Sequence, residues 1–241
     1  MIAVTGHFER PRVRKLSAKL ILAFKKEGLE VERIEISSRR LGSTALQLVC
    51  VVGGDGSLLR VARNVSEKTA LLGIAAGKRS RLMQVKPEQI SKAVKQFAAG
   101  KYLIEKRARI QGKINGRKLP LALNELLVVA KKSGSLISFG LKIGKKKIII
   151  DGDGMIVATP TGSTGHSYSA GGRKLRQSEK KFVVVPSNPI ERNGKAFTVS
   201  DKSKIEIRQE CKGKKTEVVV DGRKRFALKG KLAVKRGNLH R

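Results

Sequence analysis

The 241-residue chain has no Trp, only two Cys, and few aromatic residues, which make up 4% of the sequence. Cys50 and Cys211 are too few for a disulfide framework, and they lack the close spacing of a metal-binding pair. No uncharged apolar run approaches the roughly 20 residues that a membrane-spanning helix requires. The first ten residues also lack the features of a secretory signal. These absences predict a cytoplasmic protein that has no association with membranes.

Acidic residues are also scarce: 19 Asp and Glu stand against 53 Lys and Arg, which gives a formal net charge of +34. Such an excess is typical of nucleic-acid-binding proteins. It is spread along the chain, however, since residues 1–100 contain 19 basic and 8 acidic residues and residues 101–241 contain 34 and 11. The basic runs are not interleaved with the aromatic residues that stack on bases. The charge therefore predicts only non-specific binding of nucleic acid.

The first hundred residues alternate apolar runs of strand length with segments of helical periodicity. Helices are expected from Pro11, which can open a helix as its first residue, and over 87–99. Strands are expected at 2–4, 31–36, 48–52 and 70–74. This alternation predicts a Rossmann-like α/β domain with a parallel sheet over residues 1–100.

After Gly100 helical periodicity largely disappears and short strands follow one another. Over 137–143, apolar residues alternate with Ser, Gly and Lys, a period of two that is typical of strands. Further strands are expected at 148–150, 155–158, 182–185, 205–207, 218–220 and 232–234. We expect a mainly antiparallel all-β domain over residues 101–241, whose last residues can return to the first domain.

The first candidate for a functional site is the turn Gly53 to Ser57, which follows the apolar strand 48–52. Glycine lets a ligand approach the backbone closely, and a helix that begins here offers free N–H groups to an anion. Asp55 would lie at the carboxyl end of a parallel strand, where open α/β sheets bind ligands. A simpler interpretation is a tight turn in which Asp55 and Ser57 cap the helix.

Two further motifs lie in the second half of the chain. The segment Asp153 to Gly172 leads from a strand into a loop rich in Gly, Ser and Thr, whose backbone and hydroxyl donors suit phosphates. Asn124 and Glu125 are embedded in apolar sequence, so both side chains need partners if they are buried. The simpler interpretations are an ordinary polar loop and a satisfied pair in the core.

Together and in this order, the three motifs resemble those of the NAD kinase family. Its members combine GGDG[TS] after a strand, a G-I-N-x-G-x-L-G-F segment, an L-N-E segment, and D-G-x-x-x-[ST]-T-P-T-G-S-T-A-Y-S-x-S-A-G-G. This chain contains Gly53 to Ser57, Asn124-Glu125, and nearly all of the last motif between Asp153 and Gly172. The resemblance covers roughly residues 1–225, and the last motif is long and highly specific.

The resemblance implies transfer of a phosphoryl group from ATP, or from polyphosphate, to the 2′-hydroxyl of the adenosine ribose of NAD, giving NADP. Mg²⁺ would accompany the donor with no dedicated protein ligands, and the chain would form a homodimer or homotetramer. Asp55 would orient or deprotonate the hydroxyl. The resemblance assigns NAD binding to Gly56, Asn124, Glu125, Asp153, Thr164, Gly165, His166 and Ser169, and phosphate or ATP binding to Gly53, Gly54, Ser57, Thr161, Gly162 and Ser163.

The chain departs from the family pattern at three places. Ala75 and the run 79–81 replace the Asn and the L-G-F of the family segment, His166 replaces a Tyr, and Asp151 adds a second carboxylate near Asp153. The first departure leaves open a catalytically weakened relative that binds NAD or NADP. The net charge leaves open a basic nucleic-acid-binding protein, because a shared fold does not by itself fix function.

Overall fold

The computed structural model describes residues 1–43, 45–78, 80–132, 134–190, 194–211 and 213–238. The chain divides into two compact units, one formed by Met1–Lys106 and the other by the described residues from Arg107 onward. Residue 79 and the last three residues, for which the sequence raised expectations, lie outside the described residues. No helix in the described part of the chain is both long enough and apolar enough to cross a membrane.

The first unit contains a four-stranded sheet and three helices. In chain order its elements are β1 (Ile2–Gly6), α1 (Pro11–Lys26), β2 (Val31–Arg33), β3 (Leu48–Gly53), α2 (Asp55–Ala62), β4 (Ala70–Ala75) and α3 (Ile90–Ala98), with 3-10 turns at Arg39–Gly42 and Pro87–Gln89. The sheet order is β2-β1-β3-β4, and every pair of strands is parallel. The predicted α/β class of the first half is confirmed.

Helix α1 shows why the sequence pattern was readable here. Pro11 is its first residue, and Gly28 follows its end with φ of 72°, a conformation that glycine adopts without strain. One face of α1 is buried against β1 and β3. The strand predicted over 31–36 is wrong in its length, because β2 ends at Arg33 and the chain then leaves the sheet after the Ile34 amide bonds to Val4.

The second unit consists of two six-stranded antiparallel sheets. In chain order its strands are β5 (Ile110–Ile114), β6 (Arg117–Lys118), β7 (Glu125–Ala130), β8 (Ile137–Ile143), β9 (Lys146–Gly152), β10 (Gly154–Ala158), β11 (Lys181–Ser187), β12 (Phe197–Ser200), β13 (Ile205–Gln209), β14 (Thr216–Val220), β15 (Lys224–Ala227) and β16 (Lys231–Arg236). A 3-10 turn at Gly162–Thr164 precedes the single-turn helix α4 (His166–Ser169). The sheet orders are β12-β11-β10-β7-β14-β15 and β6-β5-β16-β13-β8-β9.

The inward faces of these two sheets form one buried cluster. It includes Phe139 and Ile207 from one sheet and Val128 and Val157 from the other, so the unit is a β-sandwich. All five residues of β10 are buried. Met155 and Val157 face this cluster, whereas Ile156 and Ala158 pack with Leu175 on the other face. Burial on both faces explains the continuous apolar run of β10, and the predicted all-β class is confirmed.

Candidate active site

Asp55 is the first residue of α2 and lies immediately beyond the carboxyl end of β3. Strand β3 is interior to the parallel sheet, between β1 and β4. The turn therefore opens at the edge where α/β sheets bind ligands, which is the place that the sequence predicted. The side chain is half-buried.

The Asp55 carboxylate accepts backbone hydrogen bonds from the segment after β4. The Arg81 amide lies 3.0 Å from both Oδ1 and Oδ2, and the Leu82 amide lies 3.0 Å from Oδ1. These contacts fix the plane of the carboxylate and leave Oδ2 with the larger remaining capacity to accept a bond. The interpretation of Asp55 and Ser57 as helix caps is wrong, because the N-cap of α2 is Gly54, with no side-chain capping bond.

Gly53 and Gly54 serve the turn in different ways. A Cβ at Gly53 would lie 2.7 Å from Ser57 Oγ, so this glycine is required by packing within the turn. A Cβ at Gly54 would meet nothing within 4 Å. Open space therefore borders the backbone beside the first amides of α2, which have no partner within the helix. A phosphate fits such a position.

The segment that departs from the family pattern is nonetheless tied to this turn. The Ala76 amide donates to the Gly53 carbonyl at 2.8 Å, and the Gly73 amide donates to Gln84 Oε1 at 2.6 Å. Because the Arg81 contact to Asp55 comes from the backbone, it does not depend on which side chain occupies that position. The divergence at 75 and 79–81 thus leaves the support of Asp55 in place on the residues described.

In the second unit, Glu125 begins β7, which lies between β10 and β14. The residue is buried, with 5% of its surface exposed. Burial raises the pKa of the Glu125 carboxyl to about 7, and the negative charge of Asp221 acts in the same direction. The group is therefore poised between its protonated and ionised forms near neutral pH.

Asn124 precedes this strand, and its side-chain oxygen has an unusual environment. Its Oδ1 is buried and has no hydrogen-bond partner among the described residues. Its backbone carbonyl accepts from the Thr159 amide at 2.8 Å. A buried polar atom without a partner is costly, so Asn124 Oδ1 is suited to a ligand's donor.

The loop within Asp153 to Gly172 packs directly against the backbone of residues 123–125 at the start of β7, which we call the corner. Thr159 Oγ1 donates to the Leu123 carbonyl at 2.6 Å and accepts from the Gly162 amide at 3.0 Å. A Cβ at Gly162 would lie 2.2 Å from the Asn124 carbonyl oxygen, so only glycine permits this approach. The two motifs that the sequence identified separately are one structural feature of the second unit.

Thr161 and Ser163 are buried, and their hydroxyls have partners within the loop. Thr161 Oγ1 bonds to Gln177 Oε1 at 3.0 Å. Ser163 Oγ donates to the Pro160 carbonyl at 2.7 Å and accepts from the Leu175 amide at 2.9 Å. These bonds give both hydroxyls a role in shaping the loop, and direct phosphate binding by them stays a prediction.

The remaining candidate residues of this loop are less buried than Thr161 and Ser163. Thr164 Oγ1 donates to the Thr161 carbonyl at 3.2 Å, and Gly165 is half-buried. His166 and Ser169 are exposed at the two ends of α4. At α4 the loop can therefore offer exposed side chains to a ligand. Before α4 it can offer mainly backbone groups.

Asp153 lies in the short link between β9 and β10, and its Oδ2 accepts from Asn188 Nδ2 at 2.9 Å. Asp151, the additional carboxylate, accepts a hydrogen bond from the Ser138 hydroxyl across the β8–β9 pair. The two carboxylates thus have separate partners.

Comparisons with known proteins match both units to one family. The description ATP-NAD kinase N-terminal domain matches residues 16–102, and ATP-NAD kinase C-terminal domain matches residues 123–237. An NAD kinase of Methanopyrus kandleri is 30% identical over 247 residues, which cover 98% of this chain and 89% of the relative. The chain belongs to the NAD kinase family. The predictions of this family and of an NAD kinase enzyme are confirmed.

Solved NAD kinase structures share the fold. An NAD kinase from Archaeoglobus fulgidus, in complex with ATP, matches with a TM-score of 0.86 at 28% identity, covering 100% of this chain and 93% of the other. Yeast NADH kinase, in complex with NADH, matches with a TM-score of 0.87 at 18% identity, covering 98% and 80%.

Sequence reasoning missed the groups that support these NAD kinase motifs. Backbone donors such as the Arg81 and Leu82 amides leave no signal in residue type. Thr159 was visible only as part of the loop, and Asp221 only as the start of an Asp-Gly turn. Each of these groups positions a residue that the sequence did identify.

Proposed function

We propose that this chain transfers the γ-phosphoryl group of ATP to the 2′-hydroxyl of the adenosine ribose of NAD, forming NADP. The observation that carries the proposal is the Asp55 carboxylate, held by two backbone amides beside the open Gly54 turn at the end of β3. Phosphoryl transfer depends mainly on positioning and on neutralising charge, which such a fixed carboxylate and anion-binding turn can provide. The ATP complex of the Archaeoglobus relative supports ATP as the donor.

Asp55 Oδ2 is the atom that we assign to the acceptor hydroxyl. Oδ1 already accepts from the Arg81 and Leu82 amides, whereas Oδ2 shares only the Arg81 amide. A hydrogen bond from the hydroxyl to Oδ2 would orient the attacking oxygen and give its proton a place to go. Gly53, Gly54, Gly56 and Ser57 form the turn in which donor phosphates would approach the backbone.

In the second unit, we assign NAD binding to Asn124, Glu125 and the exposed part of the Asp153 to Gly172 loop. The buried Asn124 Oδ1 can accept from an adenine amino group, and Glu125 can accept from a ribose hydroxyl. Asp153 is held by Asn188 and would contact the nicotinamide side of the dinucleotide.

The residues present fit a magnesium ion that arrives with the donor. In the described ranges, no group of three or more His, Cys, Asp or Glu side chains could hold a metal ion. Mg²⁺ commonly keeps several waters and is held largely by substrate phosphates, so the donor's phosphates would carry the ion and Asp55 Oδ2 would remain for the acceptor hydroxyl. When bound, the ion would neutralise charge that develops on the transferring phosphoryl group.

The test is direct: purified full-length protein is incubated with NAD, Mg²⁺ and ATP, and NADP is measured with an NADP-specific dehydrogenase. NADP formation that depends on both ATP and Mg²⁺ is the expected result. A parallel reaction with polyphosphate examines the alternative donor, which the charge of +34 would attract. No NADP with either donor would contradict the proposal and favour a relative that only binds the dinucleotide.

The cytoplasmic location and the homodimer or homotetramer stay predictions. Light scattering after size-exclusion chromatography, at several salt concentrations, measures the subunit number. Salt should favour assembly, because it screens the repulsion between strongly cationic subunits.

A further inference from the structure

Asp221 occupies the turn between β14 and β15 and is a buried carboxylate in an uncommon backbone conformation. The residue is 3% exposed. Its φ is 47°, and Gly222 follows with φ of 67°. Two successive positive φ angles form a tight hairpin turn that Asp-Gly suits, but the turn itself does not require a buried charge.

The carboxylate of Asp221 accepts hydrogen bonds from three consecutive amides at the start of β7. Oδ2 lies 3.2 Å from the Leu123 amide, while Oδ1 lies 2.8 Å from the Asn124 amide and 3.4 Å from the Glu125 amide. The Asp221 amide donates in return to the Glu125 carbonyl at 3.1 Å. The turn and the corner are therefore bonded in both directions.

The opposite side of the same corner is held by the loop. The Leu123 and Asn124 carbonyls accept from Thr159 Oγ1 and from the Thr159 amide. Asp221 thus holds the amides and Thr159 holds the carbonyls of one short segment. A segment bonded on both sides has little freedom to rotate, so the directions of its side chains are set.

We propose that Asp221 is a positioning residue for nucleotide binding: it fixes the backbone of 123–125 and thereby aims Asn124 and Glu125 at the acceptor NAD. This inference rests on the proposed function for the role of those two side chains. Asp221 itself needs no contact with substrate, because it acts through the backbone.

The charge of Asp221 has a second effect on the same corner. It adds to burial in raising the pKa of Glu125. Asp221 is the charged side chain that acts on Glu125, and the neighbouring residue across β10, Ala158, is neutral. Removing the charge should therefore let Glu125 ionise at lower pH, which a purely structural contact would not cause.

The experiment compares three full-length variants. Asp221→Ala removes all three acceptor contacts, and Asp221→Asn keeps one acceptor oxygen and tolerates positive φ. Asn115→Ala is the matched control, since Asn115 also has φ of 47° before a glycine, in the exposed β5–β6 turn of the other sheet. NAD affinity is measured by titration calorimetry, the KM values for NAD and ATP by steady-state kinetics, and folding by thermal unfolding.

Asp221→Ala should weaken NAD binding and raise the KM for NAD about tenfold or more, because the amides lose their acceptor. The KM for ATP and kcat should change less than threefold, on the order of half a log unit. Asp221→Asn should recover part of the NAD affinity and shift the pH dependence of kcat/KM for NAD to lower pH. Asn115→Ala should lose some stability at its turn, less than Asp221→Ala, with unchanged NAD affinity.

Equal NAD affinities in folded Asp221→Ala and Asn115→Ala would overturn the proposal. If Asp221→Ala does not fold, Asp221→Asn decides, since wild-type affinity together with a wild-type pH profile would also overturn it. A wild-type chain that binds NAD but forms no NADP contradicts only the proposed function. A wild-type chain that binds no NAD overturns both.

Discussion

Asp55 and Asp221 each accept hydrogen bonds from backbone amides, one in each unit, but the functional group lies on the carboxylate in the first case and beside the amides in the second. Asp55 accepts from two consecutive backbone amides, one of which contacts both oxygens, and Asp221 accepts from three consecutive backbone amides. At Asp55 the amides hold the carboxylate, which is half-buried and keeps capacity on Oδ2. At Asp221 the carboxylate holds the amides, and the residue is 3% exposed. For these two aspartates, exposure matches the roles that we propose: Asp55 can reach a substrate, whereas Asp221 acts only on its neighbours.

The two aspartates also differ in how far along the chain their partners lie. Asp55 bonds to amides 26 and 27 residues away, within one strand–helix–strand succession. Asp221 bonds to amides 96 to 98 residues away in sequence, at the start of the adjacent strand β7 of the same sheet. The Asp55 contacts join neighbouring segments of the chain, whereas the Asp221 contacts depend on the sheet order that places β14 beside β7.

The largest effect should follow from Asp55→Asn. The amide retains the shape of the side chain but loses the negative charge and the second acceptor oxygen. We expect kcat for NADP formation to fall about 10²- to 10⁴-fold, as for a lost general base or aligning group. Coupled-enzyme assay of NADP measures it, with NAD binding by calorimetry as the control. Near-wild-type turnover would remove Asp55 from the mechanism.

Gly162→Ala and Gly54→Ala separate the structural from the functional glycines. A Cβ at 162 would strike the Asn124 carbonyl at 2.2 Å, so Gly162→Ala should lower the free energy of unfolding by about 3 kcal/mol. Gly54→Ala meets nothing within 4 Å and should change it by less than about 0.5 kcal/mol. Its KM for ATP should nonetheless rise. Urea denaturation and steady-state kinetics measure both; equal stability losses would show that the turn has no open side.

Glu125→Gln tests the buried carboxyl by the pH dependence of stability. A carboxyl whose folded pKa is raised to about 7 from an ordinary 4.5 favours folding below pH 4.5, and this contribution is lost as pH rises to 7. The wild-type free energy of unfolding should fall across this window by at most about 3 kcal/mol more than that of Glu125→Gln. Urea denaturation at pH 4.5 and 7.5 measures the difference. Parallel pH curves would show that Glu125 is not perturbed.

The smallest effect should come from Arg225→Ala, in the same hairpin as Asp221. Arg225 Nη1 pairs with Glu217 Oε2 at 3.0 Å, but the Arg225 side chain is 61% exposed. Exposed ion pairs contribute roughly 0–1 kcal/mol, so stability and NAD affinity should stay close to wild type. Thermal unfolding and calorimetry measure the two quantities. A tenfold loss of NAD affinity would mean that the whole hairpin, rather than Asp221, shapes the corner.

The sequence predicted those parts of the fold that depend on local pattern. The continuous apolar run at β3 indicated a strand buried on both faces, and the alternation at 137–143 indicated a strand with a period of two. Strands β5, β6, β12 and β15 were not predicted, since each is short or partly exposed. Strand β7 was not predicted either, although its residues are largely buried, because the apolar run after Glu125 was interpreted only as the surroundings of Asn124-Glu125.

The candidate site was predictable where a motif carries its own chemistry, as with Asp55 and Asn124-Glu125. It was not predictable where support comes from the backbone or from distant residues. The Arg81 amide has no residue-type signature, and the Asp221 contact depends on β14 lying beside β7. The association of Gly162 with Asn124 likewise arises only because β10 is the other neighbour of β7.

The separation of 97 residues between Asn124 and Asp221 also sets when the corner can form during synthesis. The ribosome delivers the motif around Asn124 and the loop that follows long before β14 and β15. Until then β7 lacks its neighbour on that side, and its open edge is a site for wrong pairing with other chains. An unfinished chain would therefore contain both second-unit motifs without the Asp221 contacts that shape the corner. The strand that bears Asn124 and Glu125 would also stay unprotected at one edge.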